Sequence, residues 1–200
     1  MDVYSLYNKN VQNKNKETKM TSEAVIIGIG RAGCQIVSQL ETNYDKLYID
    51  TDKEVIEKYN GVRISCKLIK EYPAMNSVEG ELSVVENQNI IIETVKSYKK
   101  VIIITLLGGA TSNGATKRIV DLCLSLKQDI NVFASLPFVF EGNRRNVDAL
   151  QTWSYTSELC SVKIIDNNYN FEKGKNTKLS DFFKLQDQKL ISLIKESIYE

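Results

Sequence analysis

The chain contains no histidine, only two prolines and a single tryptophan among its 200 residues. Without an imidazole base, Ser-His-Asp and Cys-His nucleophile systems are excluded, and histidine-dependent metal centres go with them. An excess of one charge sign is lacking too: 26 Lys and Arg stand against 25 Asp and Glu, a formal net charge of +1. That balance removes the electrostatic case for a nucleic-acid binder or a membrane-surface protein. The four cysteines, Cys34, Cys66, Cys123 and Cys160, include no C-x-x-C pair, so zinc-ribbon and thioredoxin arrangements fail. The longest apolar run, residues 101–107, is far too short for a transmembrane segment, and the polar N-terminal residues do not form a secretory signal. The expectation is a reduced, cytoplasmic protein with one folded domain.

Residues 8–19 (NKNVQNKNKETK) are rich in Lys and Asn and hold almost nothing to bury, so residues 1–22 are expected to be a disordered polar tail. From Glu23 the pattern changes. Residues 24–28 form a continuous apolar run ending in glycine, as in a buried parallel strand, and residues 34–40 have a helical period. Further strands are expected at 46–50, 101–106, 131–136 and 161–165. Helices are expected at 52–59, 81–99, 115–126, 144–159 and about 179–199, with 61–80 irregular around Pro73 and Gly80. Alternating strands and helices over 23–200 imply an α/β fold: a Rossmann-like, mostly parallel sheet with helices on both faces.

Two glycine-rich loops follow strands. The first, Gly28-Ile-Gly30-Arg-Ala-Gly33, is a G-x-G-x-x-G, and Asp50 closes the next strand about twenty residues later. This is the dinucleotide pattern: a tight turn, close backbone approach to phosphate, a helix N-terminus as anion site and an acid for a ribose. The second, Gly108-Gly-Ala-Thr-Ser-Asn-Gly114, opens the helix after the 101–106 strand and offers a further cradle of N–H groups and the Thr111 hydroxyl. One pyrophosphate does not ordinarily need two such nests. A nucleoside di- or triphosphate held from both sides does.

The GGATSNG loop resembles the signature loop of the tubulin/FtsZ superfamily of GTPases, G-G-[GA]-T-G-[ST]-G. IIGIGRAGCQIV is similar to the first nucleotide loop of FtsZ, and YIDTDKEVI to its strand ending in N-T-D. AMNSVEG falls where the family has its A-N-P-E-V-G-type loop near the γ-phosphate, and LPFVFEGNRR resembles P-F-x-F-E-G-x-x-R. KIIDNNYN matches the strand and asparagine turn, and DFFKLQDQKL the start of the central helix. The resemblance runs in unbroken order from Ala24 onward.

The resemblance implies a GTP or GDP site, with Mg²⁺ as accompanying cation. Gly28, Gly30, Gly33, Cys34 and Gln35 would wrap the phosphates, Gln35 standing where the family uses asparagine to meet the base. Gly108, Gly109, Ala110, Thr111, Ser112 and Gly114 would form the β- and γ-phosphate loop. Glu141 would accept from the ribose hydroxyls, with Arg145 near the sugar-phosphate. Asn167 and Asp187 would read the guanine edge, and Phe183 would stack on the base. Each also has a local explanation: Glu141 beside a helix start, Arg145 and Asp187 as solvated helix charges, Phe183 as core.

The chain departs from the family at Arg31 and Ala32, where FtsZ generally has glycine, at Ser112 for a glycine, and at Asp50 for an asparagine. A serine forced to positive φ at 112 would cost on the order of 1 kcal/mol. Family members continue into a second domain whose acidic loop activates water on a neighbouring subunit's GTP, whereas this sequence stops at Glu200. The expectation is therefore a cytoskeletal or division-related guanine-nucleotide binder with little hydrolysis of its own and no assigned catalytic residue. Self-association or a full-length relative would supply the partner. Two alternatives remain open: a nucleotide-free module that binds or caps filaments of such a relative, and an NAD-type oxidoreductase built on the first loop alone.

Overall fold

Apolar β-branched segments of six to eight residues can bury both faces only inside a sheet covered by helices. The computed structural model describes residues 22–66, 72–168 and 178–199, and it shows that arrangement. Residues 8–19 lie outside the described residues. The strands are β1 (Ala24–Ile29), β2 (Asp45–Asp50), β3 (Val62–Ser65), β4 (Lys100–Leu106), β5 (Asp129–Leu136) and β6 (Ser161–Asp166). All pairings are parallel, in the order β3-β2-β1-β4-β5-β6. The helices are α1 (Gly30–Gln39), α2 (Lys53–Ile56), α3 (Ser77–Glu86), α4 (Gln88–Val95), α5 (Ala110–Ser125), α6 (Asn143–Ser157) and α7 (Leu179–Tyr199), with a 3₁₀ turn at Val139–Glu141.

Strand alternation divides the core in two. Val25, Ile27, Val101, Ile103 and Val132 pack with Val84, Ile91, Ala115 and Ile119 of α3, α4 and α5. Ile26, Ile102, Ile104 and Phe133 pack with Cys34, Val37, Val55, Leu190 and Ile194 of α1, α2 and α7 on the opposite face. Each such aliphatic side chain contributes roughly 1.5–3 kcal/mol on burial. The chain passes from β1 outward to β3, then returns to β4 on the other side of β1. The order therefore reverses between β1 and β4, and a crevice opens at their C-terminal ends, where such folds place ligands.

The segment expected to be irregular holds two elements. β3 lies at residues 62–65, a short edge strand whose exposed Val62 and Arg63 give no clean alternation. Helix α3 starts at Ser77, because the Asn76 side chain accepts from Glu79 N–H (3.0 Å) while the Glu79 carboxylate accepts from Met75 N–H (2.9 Å). The single helix expected over 81–99 is two helices, broken at Asn87, whose side-chain amide donates to the Ser83 carbonyl (2.7 Å). Helices α1 and α5 begin earlier than their apolar periodicity suggests. The glycine loops themselves form their first turns.

Close backbone contact fixes α3 against α5. A Cβ on Gly114 would collide with the Ser77 carbonyl oxygen and the Glu81 nitrogen, and one on Gly80 with the Ala110 carbonyl oxygen. Neither neighbour is a flexible side-chain end, so nothing can yield locally. Gly114→Ala is expected to destabilise the fold by about 3 kcal/mol or more, measured as a lower urea midpoint in equilibrium unfolding. An unchanged midpoint would show that the two helices are free to separate.

Candidate functional site

A cleft of about 620 Å³ opens at the C-terminal ends of β1, β4, β5 and β6. Its floor is built from two helix starts. Gly30 adopts φ +73°, turning the chain directly from β1 into α1, while Gly108 adopts φ +108° against the Pro137 ring and leads into α5. Gly108 N–H donates to the buried Asn113 side chain (2.9 Å), and Ser112 Oγ accepts from Gly109 N–H (3.2 Å). The two loops abut: a Cβ on Gly30 would lie 3.3 Å from Ser112 Cβ. Neither helix carries an acidic residue in its first turn, so both positive dipole ends face the cleft uncompensated by their own turn.

Thr51 ties three loops together. Its hydroxyl shares a 2.7 Å hydrogen bond with the Thr111 hydroxyl and accepts from Ala74 N–H at 3.1 Å. At the mouth, Arg31 pairs with Asp52 at 3.5 Å. The Arg31 side chain is 76% exposed, so this pair is weak and its guanidinium remains accessible to another anion. Asp50 is buried beneath them. Burial raises its carboxyl above the ordinary carboxylate range, against a hydrogen bond from Asp52 N–H (2.8 Å) and the attraction of Arg31.

The far wall comes from the ends of β5 and β6 and from α7. Glu141 accepts from Phe138 N–H (2.9 Å) and pairs with Arg145 at 3.0 Å. Asn168 braces this wall, donating to the Pro137 carbonyl (3.1 Å) and accepting from Val139 N–H (2.7 Å). Phe183 meets Phe138 edge-on at 5.2 Å, and burial raises the Asp187 carboxyl. Beyond Ala74, Gly109 and Ala110 the cleft continues into a lobe of about 350 Å³ lined by Ser77, Asn113, Arg144 and Asp148.

The residues expected at a nucleotide site divide into two groups. Gly30 and Gln35 of the first loop line the cleft, as do Gly109, Ala110, Thr111 and Ser112 of the second. So do Glu141, Arg145, Asn167, Phe183 and Asp187 across from them. Gly28, Gly33, Cys34, Gly108 and Gly114 shape it from behind. A Cβ on Gly33 would lie 2.5 Å from the Ile104 carbonyl oxygen, so this glycine lets α1 approach β4. A Cβ on Gly28 would press Cys34 Cα at 2.8 Å. The Cys34 thiol donates to the Gly28 carbonyl (3.2 Å), and burial pushes it up to about 12, which keeps it protonated beneath the loop.

Ser112 lies in the first turn of α5, and Lys127 is the sole non-glycine residue with positive φ among those described. The strain expected there is absent. Arg31 extends to solvent and leaves the turn uncrowded. Sequence reasoning missed Thr51, Asp52, Ala74, Ser135 and Gln186, all of which line the cleft. Gln186 alone carried a signal, a polar residue within the buried stripe of α7. Among the described residues no group of three or more Cys, Asp or Glu side chains is arranged to hold a metal ion, and no helix is long and apolar enough to cross a membrane.

Strand order and glycine-lined crevice together define a doubly wound α/β protein with its ligand cleft at the switch point. The chain belongs to the Tubulin/FtsZ family, whose GTPase-domain model matches residues 23–175. It is 25% identical over 181 residues to the cell division protein FtsZ 1 of Pyrococcus abyssi, covering 85% of this chain and 48% of that protein. Among solved structures it resembles the empty FtsZ dimer of M. jannaschii (TM-score 0.79, 23% identity), covering 94% of this chain and 57% of the other. It also resembles the GTPγS-bound CetZ2 protofilament of Haloferax volcanii (TM-score 0.72, 15% identity), covering 86% and 57% respectively. The chain thus spans about half the length of the relatives it matches.

The buried Asp50 gives a pH signature. Its folded-state pKa is raised, so its contribution to stability is full below the unfolded pKa and is lost as pH rises through the folded value. Asp50→Asn mimics the protonated form and keeps an acceptor for Asp52 N–H. It is expected to be more stable than the parent chain in urea at pH 7, with the advantage shrinking as pH falls to the ordinary carboxylate range. A less stable Asn variant at pH 7 would mean that Arg31 outweighs burial.

Proposed function

We propose that residues 23–200 form a guanine-nucleotide-binding domain of the Tubulin/FtsZ type, acting in the cytoplasm in cell division or a related filament system. One observation carries this: two helix N-termini, neither with its own acid, meet at Gly30 and Ser112 on the floor of a single cleft. Such convergence suits a chain of phosphates rather than one carboxylate. Asn167 follows β6, two strand positions from the α5 loop, or about 10 Å at ordinary strand spacing. A phosphate group at the helix starts thus leaves room for a sugar near Glu141 and a base near Asn167, Phe183 and Asp187.

The roles follow from the chemistry of each group. The N–H groups of Ala110 and Thr111, beside the Gly109 N–H held by Ser112 Oγ, would bind phosphate oxygens, and Arg31 would exchange Asp52 for phosphate. Glu141 would accept from ribose hydroxyls without leaving Phe138 N–H. The Asp187 carboxylate would accept from the guanine N1 and N2 hydrogens, and Phe183 would cover the ring. Mg²⁺ would be held mainly by phosphate oxygens and water, as is usual for this cation, neutralising charge at the phosphate end. The filament in which CetZ2 was captured makes self-association, or pairing with a longer relative, the natural partner class.

Hydrolysis by the 200-residue chain alone is expected to be negligible. Asp52 still caps α2 through Glu54 N–H (3.0 Å) when Arg31 turns to phosphate, Glu141 is paired with Arg145, and Asp50 is buried, so among the described residues no uncommitted cleft carboxylate stands at the phosphate end to orient water. Titration with a fluorescent GTP analogue, with and without Mg²⁺, should give saturable binding below ~100 μM, competed by GTP and not by ATP, an affinity that contacts of this number readily reach. No saturable signal would sink the nucleotide-binding proposal. Equal competition by ATP would sink only the guanine assignment, and brisk phosphate release would overturn the account of the carboxylates.

A further inference from the structure

Helix α7 lies on the sheet through one buried stripe, Phe182, Gln186, Leu190 and Ile194, each four residues from the next. Three of these side chains are apolar. The fourth, Gln186, is only 5% exposed, and neither its Oε1 nor its Nε2 has a hydrogen-bond partner among the described residues. Asn167, at the end of β6, is 7% exposed, and its Oδ1 is also without a partner. Both residues line the same cleft. Burying a carboxamide with no partner is unfavourable, and leucine or methionine would complete the stripe without that cost. Packing therefore does not account for Gln186. Gln128, similarly buried, also leaves its Oε1 without a partner, but its Nε2 donates to the carbonyls of Val95 (2.7 Å) and Tyr98 (2.8 Å) and ties the end of α4 to the start of β5, so a structural contact explains that carboxamide as none explains Gln186.

We propose that Gln186 is a specificity-determining residue of the cleft, and that together with Asn167 it presents desolvated donor and acceptor groups to the polar edge of a nucleobase. Gln186 lies between Phe183 and Leu190 on the side of α7 that faces the cleft, directly before Asp187. A planar base that carries donors and acceptors on one edge matches carboxamides from two elements, whereas a phosphate would be met at the helix starts instead. A hydrogen bond made away from water at this depth discriminates strongly, because a base lacking the complementary atom leaves Gln186 unpaired again. The unliganded fold is thus less stable than its packing allows, and the ligand restores what it lacks.

This inference rests on the nucleotide-binding function proposed above and is tested with the full 200-residue chain. Gln186→Met conserves length and removes both hydrogen-bonding groups. Thermal unfolding without ligand should rise by about 3 °C, the scale of one relieved polar group in a chain of this size. In calorimetric titrations, GDP should bind the variant about tenfold more weakly, while inorganic tripolyphosphate binds both proteins alike. A parallel loss of GDP and tripolyphosphate affinity, unchanged GDP affinity, or a variant that unfolds earlier or does not fold would each overturn the inference. Parent chain that binds tripolyphosphate but gains nothing from the base of GDP would overturn it while leaving a phosphate site standing. Binding of neither ligand would remove the nucleotide function itself.

Discussion

The cleft depends on how closely backbones approach one another beneath it. Gly33 lets α1 settle onto the Ile104 carbonyl of β4, and Gly80 and Gly114 let α3 and α5 touch without an intervening side chain. With those contacts made, the first turns of α1 and α5 are brought edge to edge, and Gly30 meets Ser112. A methyl group at these crossings would hold the helices apart. The loops would still be glycine-rich, but their N–H groups would no longer face one volume. Conformational freedom at Gly30 and Gly108 then turns the chain sharply enough for both helices to start at the sheet edge.

The polar contacts between loops matter because the backbone leaves no room for alternatives. Thr51 and Thr111 share a hydrogen bond across the floor, and Ala74 donates to the same Thr51 hydroxyl. Each bond is worth on the order of 1 kcal/mol, yet together they fix three loops that contribute no apolar core of their own. Movement of the segment before α3 would therefore be felt at Thr111 directly. The Arg31–Asp52 pair differs in kind: exposed and long, it adds little to stability and leaves a cation poised at the mouth.

Much of the fold was legible in the sequence because a parallel strand buried on both faces announces itself as an unbroken β-branched run. Residues 24–28 and 101–106 did so, and their glycine loops followed in the expected places. β3 was hidden because an edge strand of four residues, half of them exposed, has neither the run nor the alternation. The start of α3 was recoverable from Asn76 and Glu79, which have capping-box spacing, but Pro73 and Gly80 drew attention to turns instead. In the site, glycines and charged residues stood out, whereas Thr51 and Ala74 act through a hydroxyl and a backbone N–H that no residue pattern marks. Gln186 was overlooked for the opposite reason, since its apolar neighbours at 182, 190 and 194 made the stripe look complete without it.

Besides Gln128 Oε1 at the opposite edge, several compromises with stability lie at the C-terminal ends of the strands. Asp50 and Asp187 are raised by burial, and Asn167 and Gln186 hold unpartnered polar atoms. The middle of the sheet shows nothing comparable: Ile26, Ile27, Ile102 and Ile103 are buried without polar groups to satisfy. A ligand that pairs with the unsatisfied groups binds only the folded state, so its binding free energy adds to stability through mass action.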